Sequence, residues 1–268
     1  MVEAKKIAVV YKTREEGVLR VIETVNKLLK PESIWEHALS SLVGKRLGGF
    51  DLIVCLGGDG TLVRTCRVAE NGSMILPVNM GKKGYLMEVD PEKLPSYLEK
   101  YQNDEFIVEK CFKLKIDYGG KVLNAVNEVA VRNITGLKQV TLSVELEKGS
   151  FIVEGDGLLV STPIGSSAYS LNAGGPFVLS NVNVLVCTPL CARKPLRPLI
   201  VNRNAVIKVK YLSGEEIQMI IDGEEAFKVD PRETITITGT GEIVNIIRFS
   251  SSFNIKRMGR LIGGVENG

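Results

Sequence analysis

The sequence predicts two domains of different class. An α/β domain covers residues 1–100, a mostly β domain covers 101–248, and residues 249–268 return to the first domain. Three observations predict this. Short apolar runs alternate with stretches of helical periodicity over the first hundred residues, the pattern of a parallel sheet with covering helices. Past about residue 105 the period changes to two, with Gly-rich turns between segments. From Arg248 onward that alternation stops.

Lys6 to Tyr11 is a short apolar strand. From Glu15 to Lys30, Val18, Val21, Ile22, Val25, Leu28 and Leu29 fall on one helical face, and Pro31 stops the helix. Residues 51–56 form the next strand, followed by a Gly loop and a helix in which Leu62, Cys66 and Ala69 share a face. Met74 to Asn79 is a further strand, and Pro91 to Tyr101 a short helix. In the second half, Lys113–Tyr118, Thr141–Leu146, Ala205–Tyr211, Glu216–Ile221 and Thr234–Thr238 alternate as strands. Gly119-Gly120, Asp222-Gly223 and Gly239-Thr240-Gly241 supply turns.

Composition narrows the function. The 268 residues are 44% apolar and 24% charged, ordinary for a globular chain of one large or two medium domains. A net charge of +3 is too small to argue for a nucleic-acid partner. No apolar run approaches a membrane span, and Met1-Val2-Glu3-Ala4-Lys5-Lys6 has no signal-peptide form, so we expect no membrane association and a cytoplasmic protein. Cys55, Cys66, Cys111, Cys187 and Cys191 are odd in number and scattered, which reads as buried, reduced thiols rather than disulfides or a zinc site. The one histidine, His37, is far in sequence from every motif, so carboxylates must do the acid–base work.

The chemistry concentrates in four segments. Gly57-Gly58-Asp59-Gly60-Thr61 stands between a strand and a helix, where free backbone N–H groups and the helix dipole favour an anion. Glycines let a phosphate approach the main chain. A carboxylate in such a cradle repels phosphate unless it has a chemical role, either accepting a proton from an attacking hydroxyl or holding Mg²⁺. The competing reading is a tight structural turn. Asn79-Met80-Gly81-Lys82-Lys83-Gly84-Tyr85 reads as a second backbone loop, with Tyr85 offering a ring face and a lysine lending charge near phosphate; a plain surface loop competes. Both loops follow strand carboxyl ends, where α/β sheets bind ligands. Asn127-Glu128 places an amide and a carboxylate inside an apolar strand, suited to sugar hydroxyls, against the alternative of an edge strand with solvated side chains. The run from Gly155 to Pro176 packs hydroxyls, glycines and Tyr169 together, which suits a flat, polar ligand such as a nucleotide base. Ile220-Ile221-Asp222-Gly223-Glu224 is open to reading as a plain hairpin turn.

Together these segments resemble the NAD kinase family, over most of the chain and in the same order. The family carries Gly-Gly-Asp-Gly-Thr, here residues 57–61, then Asn-x-Gly-x-x-Gly-aromatic, here 79–85, then Asn-Glu at 127–128. An Asp-Gly and a Ser-Thr-Pro-x-Gly-Ser-x-Ala-Tyr run ending Ala-Gly-Gly-Pro follow, here 155–176, and this long run is the specific one. The resemblance implies a Rossmann-like amino-terminal domain and a β domain, with NAD bound between them. It implies transfer of the terminal phosphate of ATP, with polyphosphate as the alternative donor, to the adenosine-ribose 2′-hydroxyl. The product is NADP, Mg²⁺ or another divalent ion accompanies the donor phosphates, and the enzyme is a homodimer or homotetramer. No protein metal ligand is assigned.

Carried across by residue, the resemblance makes Asp59 the group that orients and deprotonates the 2′-hydroxyl. Gly57, Gly58, Gly60 and Thr61 hold donor phosphates. Asn79, Gly81, Gly84, Tyr85, Asn127, Glu128, Asp156, Ser167, Ala168, Tyr169 and Asn172 bind NAD, with Asp156 at the nicotinamide end and Tyr85 and Tyr169 at the adenine. The chain departs from the family in several places. Tyr85 stands where Phe is frequent, Ile164 where Thr or Ser is usual, and Ser167 where Thr is common. Ala192-Arg193 follow Cys191 where Pro-His is frequent, leaving Arg193 or Lys194 to supply charge there. Diacylglycerol- and sphingosine-type lipid kinases share Gly-Gly-Asp-Gly-Thr but continue Leu-Asn-Glu; here Leu62-Val63-Arg64 follow. Phosphofructokinase-type enzymes share only the short Gly element. A non-catalytic dinucleotide sensor is the remaining rival, and an intact Asp59 argues against it.

Overall fold

The structure, a computed structural model, describes residues 2–81, 84–194 and 196–262. The chain forms two compact units. One holds the residues up to Cys111 and those from Glu242 on; the other runs from Phe112 to Gly241.

The first unit opens with β1 (Lys6–Tyr11), α1 (Glu16–Leu29), β2 (Ser33–Ala38), β3 (Leu52–Gly57), α2 (Asp59–Val68), β4 (Met74–Asn79) and α3 (Leu94–Gln102). β2, β1, β3 and β4 lie side by side in that order, all parallel. β1 and β3 are buried on both faces, which is why they read as unbroken apolar runs. Val18, Val21 and Val25 of α1 and Leu94, Leu98 and Tyr101 of α3 pack with Val9, Val54 and Leu76 on one face. α2 lies against the other residues of β3, with Thr65 Oγ1 3.5 Å from Cys55 Sγ. Helix α1 ends because Lys30 turns left-handed at φ 46° and returns its N–H to the Asn26 carbonyl at 3.1 Å, ahead of Pro31. The chain leaves β1 toward β2 on one side and comes back to β3 on the other. The carboxyl ends of β1 and β3 are therefore the switch point of the sheet, and the Gly loop follows β3.

The second unit contains β5 (Ile107–Tyr118), which enters it from the first, then β6 (Lys121–Ala125), β7 (Glu128–Asn133), β8 (Val140–Leu146), β9 (Gly149–Gly155) and β10 (Gly157–Ser161). A short helix α4 (Tyr169–Asn172) precedes β11 (Val184–Leu190), β12 (Leu199–Asn202), β13 (Ile207–Gly214), β14 (Ile217–Ile221) and β15 (Glu225–Lys228). One antiparallel sheet runs β12-β11-β10-β7-β14-β15. Its inner residues Val129, Val131, Leu158, Val160, Cys187 and Met219 meet Leu142, Val144, Val153, Val209 and Ile235 of the opposing strands in one core.

β16 (Thr234–Arg248) belongs to both units by connectivity. Its early residues pair antiparallel with β13, and Asn245 and Ile246 pair parallel with Met74 and Ile75 of β4. α5 (Phe253–Ile262) follows and belongs to the same unit as β1–β4. All five cysteines are free; four are buried, and Cys191 is exposed, unlike the buried thiol expected there.

Candidate functional site

In the α/β unit the site is built on one short junction. Only Gly58 separates β3 from α2, so the helix begins at Asp59, earlier than the Gly loop suggested. Gly58 is the N-cap and has no side chain, and Thr61 and Leu62 return their N–H groups to its carbonyl. The first-turn N–H groups of Asp59 and Gly60 thus have no side-chain cap, an anion-ready helix start. The three glycines serve different ends. A Cβ on Gly57 would lie 2.3 Å from Thr61 Oγ1, so Gly57 makes room for the threonine. A Cβ on Gly58 or Gly60 would meet nothing within 4 Å. Their bareness serves no packing need and leaves the space over the loop open.

Asp59 ties this junction to the second loop. Its Oδ2 accepts the Tyr85 N–H at 3.0 Å and its Oδ1 the Leu86 N–H at 2.9 Å. The Gly57 carbonyl accepts the Met80 N–H at 2.9 Å, so both loops start from adjacent strand ends. Asn79 turns its own loop: Oδ1 accepts the Gly81 N–H at 3.2 Å. A Cβ on Gly84 would sit 3.0 Å from Met87 Cβ and 3.1 Å from Asn79 Oδ1. Tyr85 is exposed, its ring open to a ligand. Lys82 and Lys83, expected to lend charge near phosphate, lie outside the described residues.

In the β unit, Asn127 and Glu128 open β7, a central strand between β10 and β14 rather than an edge. Asp222 holds them. It sits in the β14–β15 turn with a left-handed φ of 49°. Its Oδ1 accepts N–H groups from Val126 at 3.0 Å, Asn127 at 2.7 Å and Glu128 at 3.3 Å. Thr162 closes the other side, its hydroxyl donating to the Val126 carbonyl at 2.6 Å and its N–H to the Asn127 carbonyl at 2.9 Å. Gly165 is obligatory, because a Cβ would lie 2.1 Å from the Asn127 carbonyl oxygen. With their backbones so fixed, the side chains are left unspent. Asn127 Oδ1, Glu128 Oε2 and Ser161 Oγ are buried without a hydrogen-bond partner among the described residues. Glu128 and Ser161 are paired across β7 and β10, so they share a face. Unspent buried polar atoms are costly and point to a ligand. Burial first, and the neighbouring Asp222 carboxylate second, push the Glu128 carboxyl up to about 8.

The remaining expected residues are spread along the β unit. Ser167 donates to the Ile164 carbonyl at 3.1 Å, Ala168 precedes α4, Tyr169 is exposed at its start, and Asn172 is exposed at its end. Asp156 lies at the opposite end of β10 from the Asn127–Glu128 corner. Its Oδ1 accepts Asn133 Nδ2 at 3.3 Å, and its bond with the Cys191 thiol pushes that thiol's pKa up. The structure therefore gathers residues 57–61 with 79–81 and 84–86, and 126–128 with 161–165 and 222, but does not place Asp156 in the second group. Sequence reasoning marked Asp222-Gly223 but left its role open, and passed over Glu109, Arg248 and Arg257. Arg257 is buried in α5; burial pushes its guanidinium down to about 10 while Glu109 and Asp59 pull it up. Among the described residues, no cluster of three or more His, Cys, Asp or Glu could hold a metal, and no helix is long and apolar enough to cross a membrane.

Comparison with known proteins agrees over both units. Residues 7–106 match the ATP-NAD kinase N-terminal domain, and residues 126–249 the ATP-NAD kinase C-terminal domain. An NAD kinase of Methanothermobacter thermautotrophicus is 35% identical over 81% of this chain and 78% of its own length. One from Caldanaerobacter subterraneus is 31% identical over 92% of this chain and 95% of its own. Among solved structures, yeast NADH kinase complexed with NADH shares the fold with a TM-score of 0.83 at 18% identity, covering 100% of this chain and 90% of that one. An NAD kinase from Archaeoglobus fulgidus in complex with ATP superposes with a TM-score of 0.77 at 25% identity, covering 96% of this chain and 98% of that one. Two domain matches in the right order, and relatives aligned over most of their length, show that the chain belongs to the NAD kinase family.

Proposed function

We propose that this chain transfers the terminal phosphate of ATP to the 2′-hydroxyl of the adenosine ribose of NAD, giving NADP and ADP. The observation that carries the reading is the Asp59 junction. A helix start without a side-chain cap, under open space at Gly58 and Gly60, carries one carboxylate whose two oxygens are held by a second loop. Phosphoryl transfer asks the protein for position and charge neutralisation more than for covalent help. The free N–H groups at the start of α2 meet the donor phosphates. The ribose oxygen forms a bond to the terminal phosphorus as the bond to the ADP oxygen breaks, and the hydroxyl proton passes to Asp59. Each Asp59 oxygen accepts one backbone N–H, which leaves lone pairs for that proton. A lone carboxylate beside a phosphate cradle suits Mg²⁺, which binds through few protein ligands and the substrate's own phosphates. Mg²⁺ held by the triphosphate with Asp59 would neutralise charge on the donor.

On the acceptor side, Asn127 and Glu128 are the side chains left unspent for ribose and base groups. Tyr85 and Tyr169 offer exposed rings for stacking. Asn79, Gly81 and Gly84 shape the loop that carries Tyr85, while Ser167, Ala168, Asn172 and Asp156 complete the NAD contacts. The assembly is a homodimer or homotetramer working in the cytoplasm. The test is NADP formation by purified protein from NAD, ATP and Mg²⁺, beside Asp59→Asn. We expect NADP from the parent and a loss of roughly 10²-fold or more in the variant. Near-full turnover by Asp59→Asn would remove Asp59 from proton transfer. NAD binding without any NADP from the parent would overturn the reaction itself.

A further inference from the structure

The carboxyl-terminal return of the chain ends at the loop that holds Asp59. Arg248, the last residue of β16, donates from Nε to Glu109 Oε2 at 2.6 Å. Both side chains are almost wholly buried, 3% and 6% exposed. Arg248 Nη1 donates to the Leu86 carbonyl at 2.7 Å. The N–H of that same Leu86 donates to Asp59 Oδ1, and the preceding Tyr85 N–H to Oδ2. Arg248 is itself boxed in. The Phe253 ring lies 3.9 Å from its guanidinium carbon, and Asn254 Nδ2 donates to the other Glu109 oxygen at 3.2 Å. Phe249 N–H donates to Glu88 Oε2 at 3.1 Å, fixing the backbone just beyond Arg248.

The physical consequence is a short lever. An aspartate at a helix start has several rotamers available. Here one two-residue segment holds both of its oxygens, so the plane of the carboxylate follows that segment. The segment's own place follows the guanidinium bonded to Leu86. A buried ion pair contributes little to stability compared with a well-packed apolar pair of the same volume. Its geometry, fixed in the plane of a guanidinium, is what an apolar pair could not supply.

We propose that Arg248, held by Glu109, is a positioning residue for phosphoryl transfer: through the backbone of Leu86, whose carbonyl it binds and whose N–H binds Asp59, it sets the orientation of the Asp59 carboxylate. This role rests on Asp59 being the acceptor of the 2′-hydroxyl proton. Arg248→Lys keeps the charge but loses the planar fork. It should lower kcat by about 10- to 100-fold, the cost of a small misplacement at the reacting atoms. KM for NAD and ATP should stay within about twofold, because Arg248 is buried and lies outside the proposed substrate contacts. Glu109→Gln keeps an acceptor for Nε and should give a smaller loss of the same kind; it also serves if Arg248→Lys does not fold.

The deciding experiment repeats both substitutions in the Asp59→Asn background for kcat, and reads amide hydrogen exchange at Tyr85 and Leu86 with Asp59 intact. Acting through Asp59, they should be nearly silent on kcat in the double variants, and exchange at the two amides should quicken while the rest of the protein keeps its protection. Equal kcat losses in both backgrounds, or unchanged exchange at Leu86, would overturn the positioning role and leave Asp59 as proton acceptor. A fully active Asp59→Asn would instead take down the proton-transfer reading, and this role with it.

Discussion

Asp59 and Asp222 do the same thing to different ends. Each is a carboxylate at a turn, and each gathers backbone N–H groups from a segment distant in sequence. Asp59 takes two, one per oxygen, from Tyr85 and Leu86. Asp222 takes three on a single oxygen, from Val126, Asn127 and Glu128. The difference lies in what surrounds them. Beside Asp59 stand two glycines whose missing side chains open onto free space. Beside Asp222 stand Thr162 and the buried Glu128, and Gly165 is bare only because a backbone oxygen presses on it. A carboxylate that organises a loop and still faces open space is placed for chemistry. One saturated by the loop it organises is a fastening, and it presents Asn127 and Glu128, the unspent groups we propose for NAD.

That contrast breaks first at Asp222. Asp222→Ala leaves three N–H groups without their acceptor, each worth roughly 1 kcal/mol or more when buried. We expect about 3 kcal/mol of stability to go, read as the shift in denaturant midpoint. Asp59→Asn should cost about 1 kcal/mol or less by the same measure, since its two bonds are nearer solvent. The reverse ranking would mean that the two carboxylates have exchanged roles.

Glu128 gives the next effect, through pH. Its carboxyl titrates near pH 4.5 in an unfolded chain and is pushed up to about 8 by burial and Asp222. The native state therefore holds the proton more tightly, and the stability this contributes is full below pH 4.5 and lost progressively as pH rises through about 8. The span is of the order of a few kcal/mol. Glu128→Gln cannot titrate, so melting followed from about pH 5 to about pH 9 should lose that downward slope. A parent and variant with parallel pH curves would show that Glu128 is not held neutral.

The smallest effect is a difference of sign between neighbouring glycines. Gly60→Ala adds a methyl to open space in a helix and should stabilise by about 0.5–1 kcal/mol. It should also raise KM for ATP, because the methyl enters the phosphate approach. Gly57→Ala drives a Cβ against Thr61 and should destabilise. Thermal midpoints with ATP kinetics on both variants decide it; a Gly60→Ala protein that binds ATP as the parent does would move the phosphates elsewhere.

How legible the molecule was in its sequence follows the same physics. The strands β1, β3 and β4 were readable because burial on both faces writes a continuous apolar run. β2, β12 and β15 went unread because they are sheet edges, where Ser33-Ile34-Trp35-Glu36-His37-Ala38 need not alternate or be apolar. The Asp59 loop announced itself because open-space glycines have no packing reason to be there. Asp222-Gly223 stayed open, because a plain hairpin turn is also a sufficient reading of it. Arg248 did not announce itself, because its partner Glu109 is 139 residues away and its proposed effect on Asp59 passes through the backbone of Leu86, which sequence does not mark.

β16 carries a consequence for synthesis. Its last residues supply the neighbour of β4, and Arg248 and α5 come after that. The ribosome makes these residues only after the whole β unit has been synthesised. A nascent or prematurely terminated chain that stops inside β16 has the Gly loop and its aspartate but lacks the guanidinium that braces Leu86, and β4 is left with a bare edge. Chain termination within β16 should therefore yield an inert, aggregation-prone fragment rather than a working kinase.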